Sequence, residues 1–537
     1  MTLAKKMKKE KKARKAKIQA KDSIELNDDF KKAIGMVELG KNLFLTGKAG
    51  TGKSTFLKYF REHSKKEMVV LAPTGVAAVN ISGQTIHSFF HFKPNILVSK
   101  VKKVSDPEMY EKLDLIVIDE ISMVRADLLD CVDKFLRLNG KTRKLPFGGV
   151  QMVFIGDLYQ LPPVVSAEEK KIFALTYLTP YFFSAKVFES LDMEFLELSK
   201  VYRQKDADFV RLLNSIRNNS ATPADLQILN ERYEPDFVPP KKEFYIYLTT
   251  TNAAADEINA AALLRLAGKN YSFSSRVSGK FERNALPTTE NLELKIGSQI
   301  MMLNNEIMGR WVNGTIGQII NFVDEENDAG EKDTAIIVKL NSGEEVVVGR
   351  HTWDMFEYVF EKGHVDSRKI GSFNQYPLKL AWAVTIHKSQ GKTFDRVIVD
   401  IGRGTFAHGQ LYVALSRCTS IEGLVLKKPV AKRHIWLDWN VVKFVTQFQY
   451  GKSEKLLSLE DKVRMIQEAI DNEKSLKIVY LKGSDEKSCR EIIPHRVGEM
   501  VYLGKKYIGM QAYCMERKED RAFRVDRILE MKGVPKM

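Results

Sequence analysis

Short apolar runs rich in valine and isoleucine, each followed by a polar or glycine-containing turn and then a helical stretch, recur in the first part of this chain. They occupy residues 42–46, 68–72, 115–118 and 152–155. Apolar runs of this length between helices are typical of the central strands of a parallel sheet that is covered on both faces. The sequence therefore predicts an α/β fold and excludes a wholly disordered chain.

A second series of such runs follows from about residue 180, so we expect two α/β modules. This series comprises residues 245–250, 300–303, 379–384, 397–400 and 423–426. Between residues 313 and 376 the runs are β-branched and are separated by Asn, Asp and Gly, which is typical of a small antiparallel barrel. Because parallel-type runs resume after it, we predict that the barrel is inserted in the second module.

The remaining segments complete the predicted domain organisation. Residues 453–470 have the pattern of a charged amphipathic helix, and a β-rich texture begins near residue 474. The predicted boundaries are a basic tail over residues 1–22, a first module over 23–180, a second module over 181–312 and 377–450, an inserted barrel over 313–376, a helical linker over 451–473, and a β-rich C-terminal domain over 474–537.

The net charge of +16 is concentrated at the N-terminus. Residues 1–21 contain ten of the 84 basic side chains and one of the 68 acidic ones, so this tail alone carries +9. A solubilising arm and an arm that attracts nucleic acid both stay open as interpretations. The lack of a run of about 18 apolar residues excludes a membrane-spanning helix, and four cysteines without a CxxC spacing exclude a disulfide framework. We expect a cytoplasmic protein, associated with the nucleoid in a bacterium, rather than a nuclear or mitochondrial one.

The octapeptide GKAGTGKS, at residues 47–54, fits the phosphate-binding P-loop and lies between a predicted strand and a predicted helix. Glycines allow the backbone N–H groups to surround phosphates, and the helix N-terminus adds the positive end of its dipole. Lys53 is expected to neutralise the β- and γ-phosphates, and Ser54 to bind Mg²⁺. The predicted nucleotide-binding residues are Gly47, Gly50, Thr51, Gly52, Lys53, Ser54 and Thr55.

Two carboxylates, Asp119 and Glu120, follow the apolar run at residues 115–118. Beside a P-loop, this arrangement is typical of the second part of a nucleotide–metal site. Asp119 is expected to hold Mg²⁺, and Glu120 to polarise the attacking water as the general base. Together with the P-loop, these residues predict hydrolysis of a nucleoside triphosphate, with ATP and Mg²⁺ as cofactors.

Seven ordered motifs lie between about residues 23 and 440: GKAGTGKS from Gly47, APTGVAAVNISGQTIHSF from Ala72, IDEISM from Ile118, PFGGVQ from Pro146 followed by GDLYQLPPV from Gly156, LSKVYRQ from Leu198, AVTIHKSQGKTF from Ala383, and QLYVALSR from Gln410. They resemble the motifs of superfamily 1 DNA helicases of the 5′→3′ branch, most closely the petite-integration-frequency (Pif) family. The resemblance implies two RecA-like modules and a DNA-dependent ATPase that moves 5′→3′ on single-stranded DNA. Unwinding of duplex or structured DNA, and roles in DNA replication, recombination and repair, are implied as well.

The resemblance implies three further catalytic residues beside the P-loop lysine and the general base. Gln160 resembles the sensor of the γ-phosphate, and Arg203 and Arg417 resemble the two arginines that reach the nucleotide from the second module. A guanidinium stabilises the negative charge that spreads over a transferring phosphoryl group. We therefore expect ATP binding to close the cleft between the modules and hydrolysis to open it. Gly391 completes the nucleotide-binding residues that the resemblance implies.

The same resemblance implies a track for DNA on both modules. Hydroxyl, imidazole and backbone N–H groups suit phosphate contacts that are made and released at each step without reading the base sequence. Three nearby aromatic residues, Phe89, Phe90 and Phe92, are predicted to form a core cluster rather than a stacking surface. The implied DNA-binding residues are Thr74, Gly75 and His87 on the first module, and Asn252, Thr385, His387, Lys388 and Ser389 on the second.

One position departs from the family pattern. Family members commonly have Leu-Asn-x-x-Gln upstream of the P-loop, and the glutamine contacts adenine. Here Leu26 and Asn27 are followed by Phe30 at the position of the glutamine. A phenyl ring forms no hydrogen bonds to the adenine edge, so the departure predicts weakened selectivity for ATP.

The sequence from Leu476 onward resembles a WYL domain, a small β-rich ligand-sensing module. Its naming tripeptide is altered to Lys506-Tyr507-Ile508. Arginines here are predicted to contact DNA phosphates, above all Arg521 and Arg524. A protein or small-ligand contact through this domain stays an alternative. The matching positions are Tyr480, Arg490, Pro494, Tyr507, Arg517, Arg521, Arg524 and Arg527.

The sequence thus predicts an ATP-dependent DNA helicase that works as a monomer on single-stranded DNA, forks or structured DNA, without a membrane partner. Two alternatives stay open. One keeps the enzyme but makes RNA its track, and the other is a nucleotide-gated nucleic-acid-binding regulator without unwinding. The paired arginines and the full set of track motifs favour a motor over a switch, and a nuclease is disfavoured because no second cluster of spaced carboxylates is present.

Overall fold

The computed structural model describes residues 26–533 apart from residues 94–95, 166, 241–242, 282, 307–308, 327–331, 362–363, 403, 406, 484 and 503. The predicted basic tail therefore lies outside the described residues. Within these ranges, no helix is both long and apolar enough to span a membrane. The chain divides into two compact units, one up to Leu213 and over Pro223–Ile435, the other over Asn214–Thr222 and from Trp436 onward.

The first unit begins with a sheet of six parallel strands. They are β1 (Leu43–Gly47), β2 (Met68–Ala72), β3 (Gln84–Thr85), β4 (Leu115–Ile118), β5 (Gln151–Ile155) and β6 (Glu194–Leu198). Their order across the sheet is β3-β2-β4-β5-β1-β6. Every residue of β1, β4 and β5 is buried, as expected of central parallel strands. The predicted α/β fold with a parallel sheet is confirmed.

The helices of this module are α1 (Asp28–Glu38), α2 (Lys53–His63), α3 (Gly75–Asn80), α4 (Ile86–Phe89), α5 (Glu108–Lys112), α6 (Ala126–Asn139) and α7 (Ala167–Phe173). Helix α1 begins where the side chain of Asn27 accepts a hydrogen bond from the backbone N–H of Phe30 at 2.8 Å, which is a typical N-cap. Its buried residues Phe30, Ala33 and Val37 pack into the core beside the sheet.

The sequence patterns predict β1, β2, β4 and β5 to within one residue, but they miss β6. The sequence of β6, EFLEL, alternates charged and apolar residues, as an edge strand does, instead of forming an uninterrupted apolar run. β6 pairs in parallel with β1 along its full length. The first sheet therefore extends to Leu198, and the predicted module boundary at residue 180 is too early.

The chain continues through α8 (Ala207–Arg217), α9 (Pro223–Asn230), β7 (Ile246–Thr249) and α10 (Asn252–Arg265) into an antiparallel region. The strands of this region are β8 (Tyr271–Ser274), β9 (Arg276–Gly279), β10 (Asn291–Leu294), β11 (Gln299–Met302), β12 (Ile316–Glu326), β13 (Lys332–Leu340), β14 (Glu345–Val348), β15 (His351–Glu361), β16 (His364–Gln375) and β17 (Leu378–Leu380). They form sheets of order β14-β13-β12-β11-β17, β15-β16-β9 and β10-β8.

The antiparallel region is larger than the predicted barrel over residues 313–376. β11 pairs antiparallel with both β12 and β17, although the sequence assigned the residues of β11 and β17 to the parallel sheet. Ile300, Met302 and Leu378 are fully buried in the core of this antiparallel region. Their runs are apolar because this core surrounds them, and a short apolar run alone does not reveal which kind of sheet buries it.

The second parallel sheet resumes with β18 (Ala383–Thr385), β19 (Val397–Asp400) and β20 (Leu424–Leu426), and its order is β18-β7-β19-β20. The predicted single run over residues 379–384 is thus two strands in different sheets. Helix α11 (Gln410–Leu415) lies between β19 and β20 in the chain, and all six of its residues are buried. The motif QLYVALSR, which begins with this helix, is therefore tightly packed.

The second unit contains α12 (Trp439–Leu456), α13 (Leu459–Asp471) and five antiparallel strands. These are β21 (Leu476–Leu481), β22 (Lys487–Tyr502), β23 (Lys505–Cys514), β24 (Glu519–Arg524) and β25 (Ile528–Gly533), in the order β24-β23-β22-β21-β25. Ile466 and Ala469 of α13 share a core with the strands. The segment predicted as a linker over residues 451–473 is therefore an integral part of this β-rich domain, because the sheet covers its apolar face.

Candidate nucleotide site and nucleic-acid track

The P-loop lies between the end of β1 and the start of α2, as predicted. Gly50 and Gly52 have φ values of +81° and +87°, which L-residues with side chains rarely adopt. The Thr51 hydroxyl donates to the carbonyl oxygen of Lys48 at 2.9 Å. Lys53 Nζ donates to the carbonyl oxygens of Gly47 at 2.6 Å and Lys48 at 3.2 Å. Its ammonium group therefore lies over the loop that is expected to hold the phosphates.

Asp119 and Glu120 follow β4 in a constrained arrangement. Glu120 has left-handed backbone angles, φ 51° and ψ 41°, and its N–H donates to Oδ1 of Asp119 at 2.9 Å. Burial raises the pKa of Asp119, whereas this hydrogen bond and the charge of Lys53 act in the opposite direction. Burial, followed by the charge of Asp119, raises the pKa of Glu120 to about 7. A carboxylate in this range is suited to accept a proton from water at neutral pH.

A magnesium site is compatible with the donors at this edge of the sheet. Ser54 is an exposed hydroxyl in the first turn of α2, and Asp119 is a buried carboxylate close enough to Lys53 to feel its charge. In the described part of the chain, no three His, Cys, Asp or Glu side chains form a metal cage. Mg²⁺ bound with a nucleotide takes one or two protein oxygens and completes its shell with phosphates and water, so Ser54 and Asp119 fit that ion.

Gln160 is buried at the end of the loop after β5. Its Nε2 donates to Oδ2 of Asp157 at 3.2 Å, and its backbone N–H donates to the Asp157 carbonyl oxygen at 3.0 Å. A Cβ built on Gly409, at the start of α11, would lie 2.5 Å from the Gln160 carbonyl oxygen. Only glycine therefore allows the second module to approach the predicted γ-phosphate sensor this closely.

Arg417, directly after α11, is 1% exposed. Its Nε donates to the Val413 carbonyl oxygen at 2.9 Å, and Nη1 donates to the carbonyl oxygen of Lys392 at 3.2 Å. Burial, followed by the charge of Arg203, lowers the pKa of Arg417 to about 9. The group is still protonated at neutral pH, so a positive charge is held in the interior of the second module.

Arg203 lies on the segment after β6, at the junction of the modules, and not on the second module as predicted. The N–H of Tyr202 donates to the Gly50 carbonyl oxygen at 2.8 Å, and a Cβ on Gly50 would lie 2.5 Å from Cβ of Arg203. The Arg203 guanidinium donates across the junction to the carbonyl oxygens of Ser416 at 3.1 Å and Gly391 at 3.5 Å. Burial lowers its pKa.

The two guanidiniums create a site for an anion. Among the described residues, no carboxylate forms an ion pair with Arg203 or Arg417, although the charges of Glu120 and Asp157 act on Arg417. Buried charges in proteins are normally paired, because an unpaired charge in the interior is costly. A buried and a half-buried cation beside a P-loop are therefore arranged for a polyanion such as a triphosphate.

Three contacts across the junction involve residues that the sequence analysis did not single out. The Tyr412 hydroxyl accepts a hydrogen bond from the P-loop N–H of Ala49 at 2.9 Å. Gln204 Nε2 donates to the carbonyl oxygens of Ser416 and Cys418 at 3.1 and 3.0 Å. Gln390 donates to Glu120 from the second module. The three residues stand within quoted motifs, so membership of a motif was the signal that could have identified them.

On the first module, the predicted DNA-track residues differ in their exposure and packing. Thr74 is exposed, and its hydroxyl caps α3 by accepting the N–H of Ala77 at 3.3 Å. A Cβ on Gly75 would lie 2.5 Å from Cβ of Ala285, so this glycine has a packing role. His87 is half-buried in α4. Phe89, Phe90 and Phe92 form ring contacts in a cluster with Tyr110 and Phe135, which confirms the predicted core cluster.

On the second module, Asn252 is exposed at the start of α10. Thr385 and Ser389 are buried, and their hydroxyls bond to the backbone of Lys388 and Ile386. These two hydroxyls therefore shape a turn. Lys388 is exposed on that turn, whereas burial lowers the pKa of the half-buried His387. Of the predicted track residues here, Lys388 and Asn252 are the most accessible to a strand.

Phe30 occupies the place where family members have glutamine. Its ring is 2% exposed and meets Phe56 of α2 edge to face, with centroids 5.4 Å apart. The nearby amide of Asn27 donates to the Tyr202 hydroxyl at 3.0 Å. The ring is thus a core residue beneath the P-loop helix and offers no hydrogen bond to a base.

In the C-terminal domain, the two arginines predicted to bind DNA contact acidic neighbours. Arg524 binds Asp526 through Nε at 3.1 Å and Nη2 at 2.6 Å. Arg521 lies 3.2 Å from Glu519. These partly exposed ion pairs partly neutralise the predicted phosphate-binding face, and DNA contact by this domain stays a prediction.

Comparison with known proteins identifies the family. Residues 25–224 match the PIF1-like helicase family, residues 380–420 the UvrD-like helicase C-terminal domain, and residues 461–532 the WYL domain. The Pif1 ATP-dependent DNA helicase of Bdellovibrio bacteriovorus is 32% identical over 450 residues, covering 79% of this chain and 93% of that protein. The chain belongs to the PIF1-like helicase family. Membership makes it an ATP-dependent DNA helicase, as predicted, and the WYL match confirms the C-terminal resemblance.

Other PIF1-like helicases show the extent of the similarity. The PIF1 helicase of Emericella nidulans is 34% identical over 450 residues, or 72% of this chain, and the chain spans 58% of that relative's length. The crystal structure of Bacteroides sp. Pif1 with ADP-AlF4 is 36% identical, with a TM-score of 0.72, and the match covers 80% of this chain and 98% of that one. Structures of Bacteroides Pif1 with ADP-AlF3 and single-stranded DNA, and at forked DNA with two coordinating helicases, match at a TM-score of 0.57, with the same identity and coverage.

Proposed function

We propose that this helicase moves 5′→3′ along single-stranded DNA and couples each step to closure of the two modules around ATP and Mg²⁺. The observation that carries the proposal is the pair of guanidiniums beside the P-loop, the buried Arg417 and the half-buried Arg203. Arg417 donates hydrogen bonds within the second module, and Arg203 donates to that module from the junction, so a triphosphate held by the P-loop would attract the second module. Loss of the γ-phosphate would weaken this attraction and release the modules.

The proposed chemistry assigns one role to each group. Glu120 accepts a proton from the attacking water, and Lys53 neutralises charge on the β- and γ-phosphates. Arg203 and Arg417 stabilise the charge that develops on the transferring group. Mg²⁺, held by Ser54 and Asp119, would neutralise further phosphate charge and orient the nucleotide.

The proposed track runs over exposed groups on both modules. Lys388 and Asn252 are accessible on the second module, and Thr74 is accessible on the first. Such groups contact phosphates and not bases, which suits a motor that passes along any sequence. Solved Bacteroides Pif1 structures with single-stranded and forked DNA support these substrates for the present chain. That a single copy is sufficient remains part of the proposal.

Strand displacement tests the direction. A DNA duplex with a single-stranded tail at either the 5′ or the 3′ end is opened with ATP, and we expect faster opening of the 5′-tailed duplex. Glu120→Gln is the control, because it should bind DNA and ATP but open neither substrate. Faster opening from the 3′ tail would overturn the direction, and opening of RNA-tailed duplexes alone would favour an RNA track.

A further inference from the structure

Gln390 links the second module directly to the predicted general base. Its Nε2 lies 3.0 Å from Oε2 of Glu120 and donates a hydrogen bond to it, although the two residues are 270 positions apart. Gln390 is half-buried, and it stands between the turn of residues 385–389 and Gly391. One amide therefore connects a predicted DNA-track turn with the carboxylate at the end of β4.

The backbone of Glu120 is also unusual, with φ 51° and ψ 41°. A non-glycine residue in the left-handed region is uncommon and persists only where the surroundings hold it. A general base must also lie within hydrogen-bond reach of the water whose proton it takes. A donor on Oε2 would restrain the carboxylate and leave Oε1 available to accept the proton. Positioning of this kind depends on the second module being present beside the first.

The turn before Gln390 is held together by internal hydrogen bonds. The N–H of Gln390 donates to the His387 carbonyl oxygen at 3.2 Å, and the N–H of Lys388 donates to the Thr385 hydroxyl at 3.3 Å. The Ser389 hydroxyl donates to the Ile386 carbonyl oxygen at 2.7 Å. A phosphate bound at the exposed Lys388 would therefore hold the whole turn, and Gln390 with it.

We propose that Gln390 is a positioning residue that orients the Glu120 carboxylate for proton abstraction, and that DNA bound at the turn of residues 385–389 stabilises this orientation. The proposal deepens the proposed function and rests on its assignment of Glu120 as the general base. It gives a structural reason why hydrolysis should depend on DNA. The same amide would also report closure of the modules, since it reaches Glu120 only across their junction.

A double-mutant cycle tests the link in the full chain. Gln390→Met keeps the length of the side chain but removes the donor, and it is measured alone and combined with Glu120→Gln in single-turnover ATP hydrolysis with saturating single-stranded DNA. We expect the single variant to lower the hydrolysis rate by about 20-fold or more while the KM for ATP changes less than about threefold. In the Glu120→Gln background it should cause less than about a twofold further loss.

Gln204→Ala is the matched control, because Gln204 also bonds across the junction but contacts only backbone carbonyls. The loss of hydrolysis rate in Gln204→Ala should be independent of Glu120, so the two losses should multiply in the double variant Gln204→Ala, Glu120→Gln. The ratio of DNA-saturated to DNA-free turnover should also fall by about tenfold in Gln390→Met.

Three outcomes would contradict the inference. The hydrolysis rate of Gln390→Met could lie within about threefold of the natural rate, or its loss of rate could multiply with that of Glu120→Gln in the double variant. The third is a ratio of DNA-saturated to DNA-free turnover that is unchanged in Gln390→Met. The Glu120→Gln arm separates this failure from that of the proposed function. If Glu120→Gln alone hydrolyses ATP at the natural rate, the assignment of the general base is wrong, whatever Gln390 does.

Discussion

Arg203 and Arg417 bind the same residue: Nη1 of Arg203 donates to the Ser416 carbonyl oxygen at 3.1 Å, and Nη2 of Arg417 donates to the Ser416 hydroxyl at 2.9 Å. After burial, the charge of Arg203 is the next cause of the low pKa of Arg417. Like charges that lie this close raise each other's energy unless an anion joins them. The pair is therefore suited to bind the spreading negative charge of a phosphoryl group in its transition state.

Replacement of either arginine tests that role. Arg203→Ala or Arg417→Ala should lower turnover by more than about 100-fold, while the affinity for ATP changes by less than about tenfold, because the groups act mainly on transition-state charge. Steady-state hydrolysis and equilibrium nucleotide titration measure the two quantities. Arg417→Lys, which keeps a charge but loses the planar fork, is the control and should recover part of the rate. Affinity that falls in proportion while turnover survives would make these residues ground-state binders.

The P-loop lysine gives a second prediction. Lys53→Ala should abolish hydrolysis but leave the affinity for single-stranded DNA within about tenfold, because the proposed track uses other residues. Hydrolysis is measured by phosphate release, and DNA affinity by fluorescence anisotropy. Normal turnover in this variant would place the nucleotide site elsewhere.

A third prediction concerns the choice of nucleotide. Phe30 packs against Phe56 in the core and donates no hydrogen bond to a base, so kcat/KM for GTP, CTP and UTP should lie within about tenfold of that for ATP. Phe30→Gln should increase the preference for ATP, provided that its melting temperature shows that it is folded. A preference for ATP of about a thousandfold or more in the natural protein would show that other groups select adenine.

DNA binding should depend on pH through two lysines near the DNA-track turn. Burial, followed by the charges of Lys392 and Lys388, lowers the pKa of Lys379 to about 7, and burial lowers that of Lys392 to about 8. Both ammonium groups are charged below these values and lose their protons above them. Affinity for single-stranded DNA at constant ionic strength should therefore fall as the pH rises from about 6 to about 9. Lys379→Met and Lys392→Met should each weaken the dependence of DNA affinity on pH. If the affinity falls as steeply with pH in both variants as in the natural protein, these lysines are not the cause.

The boundary of the C-terminal domain gives a stability prediction. Because Ile466 of α13 is fully buried in the core of the sheet, Ile466→Ala should reduce the free energy of unfolding of this domain by about 2–5 kcal/mol. Glu468→Ala, on the exposed face of the same helix, is the control and should have little effect. Thermal unfolding followed by circular dichroism on the full chain measures both. Equal melting temperatures for the two variants would mean that α13 is a linker after all.

The sequence predicted features that depend on local pattern and missed those that depend on tertiary contact. Residues 115–118 were identified as a buried strand because its sequence is apolar throughout, whereas β6 was missed because its glutamates interrupt the run. The P-loop was predictable because the octapeptide GKAGTGKS and the strand and helix beside it are all local features of the sequence. The contact from Gln390 to Glu120, and that from Tyr412 to Ala49, join residues hundreds of positions apart, so no local signal indicates them.

The short segment Asn214–Thr222 belongs to the same compact unit as the residues from Trp436 onward, and its Asn218 donates to the carbonyl oxygen of Asp485 at 3.3 Å. During synthesis this segment leaves the ribosome long before its partners do. The segment therefore lacks its final neighbours while the antiparallel region and the second parallel sheet are synthesised. This unit can complete its folding only after the residues from Trp436 onward have been made, so a chain released before that point would contain the segment Asn214–Thr222 without its final neighbours.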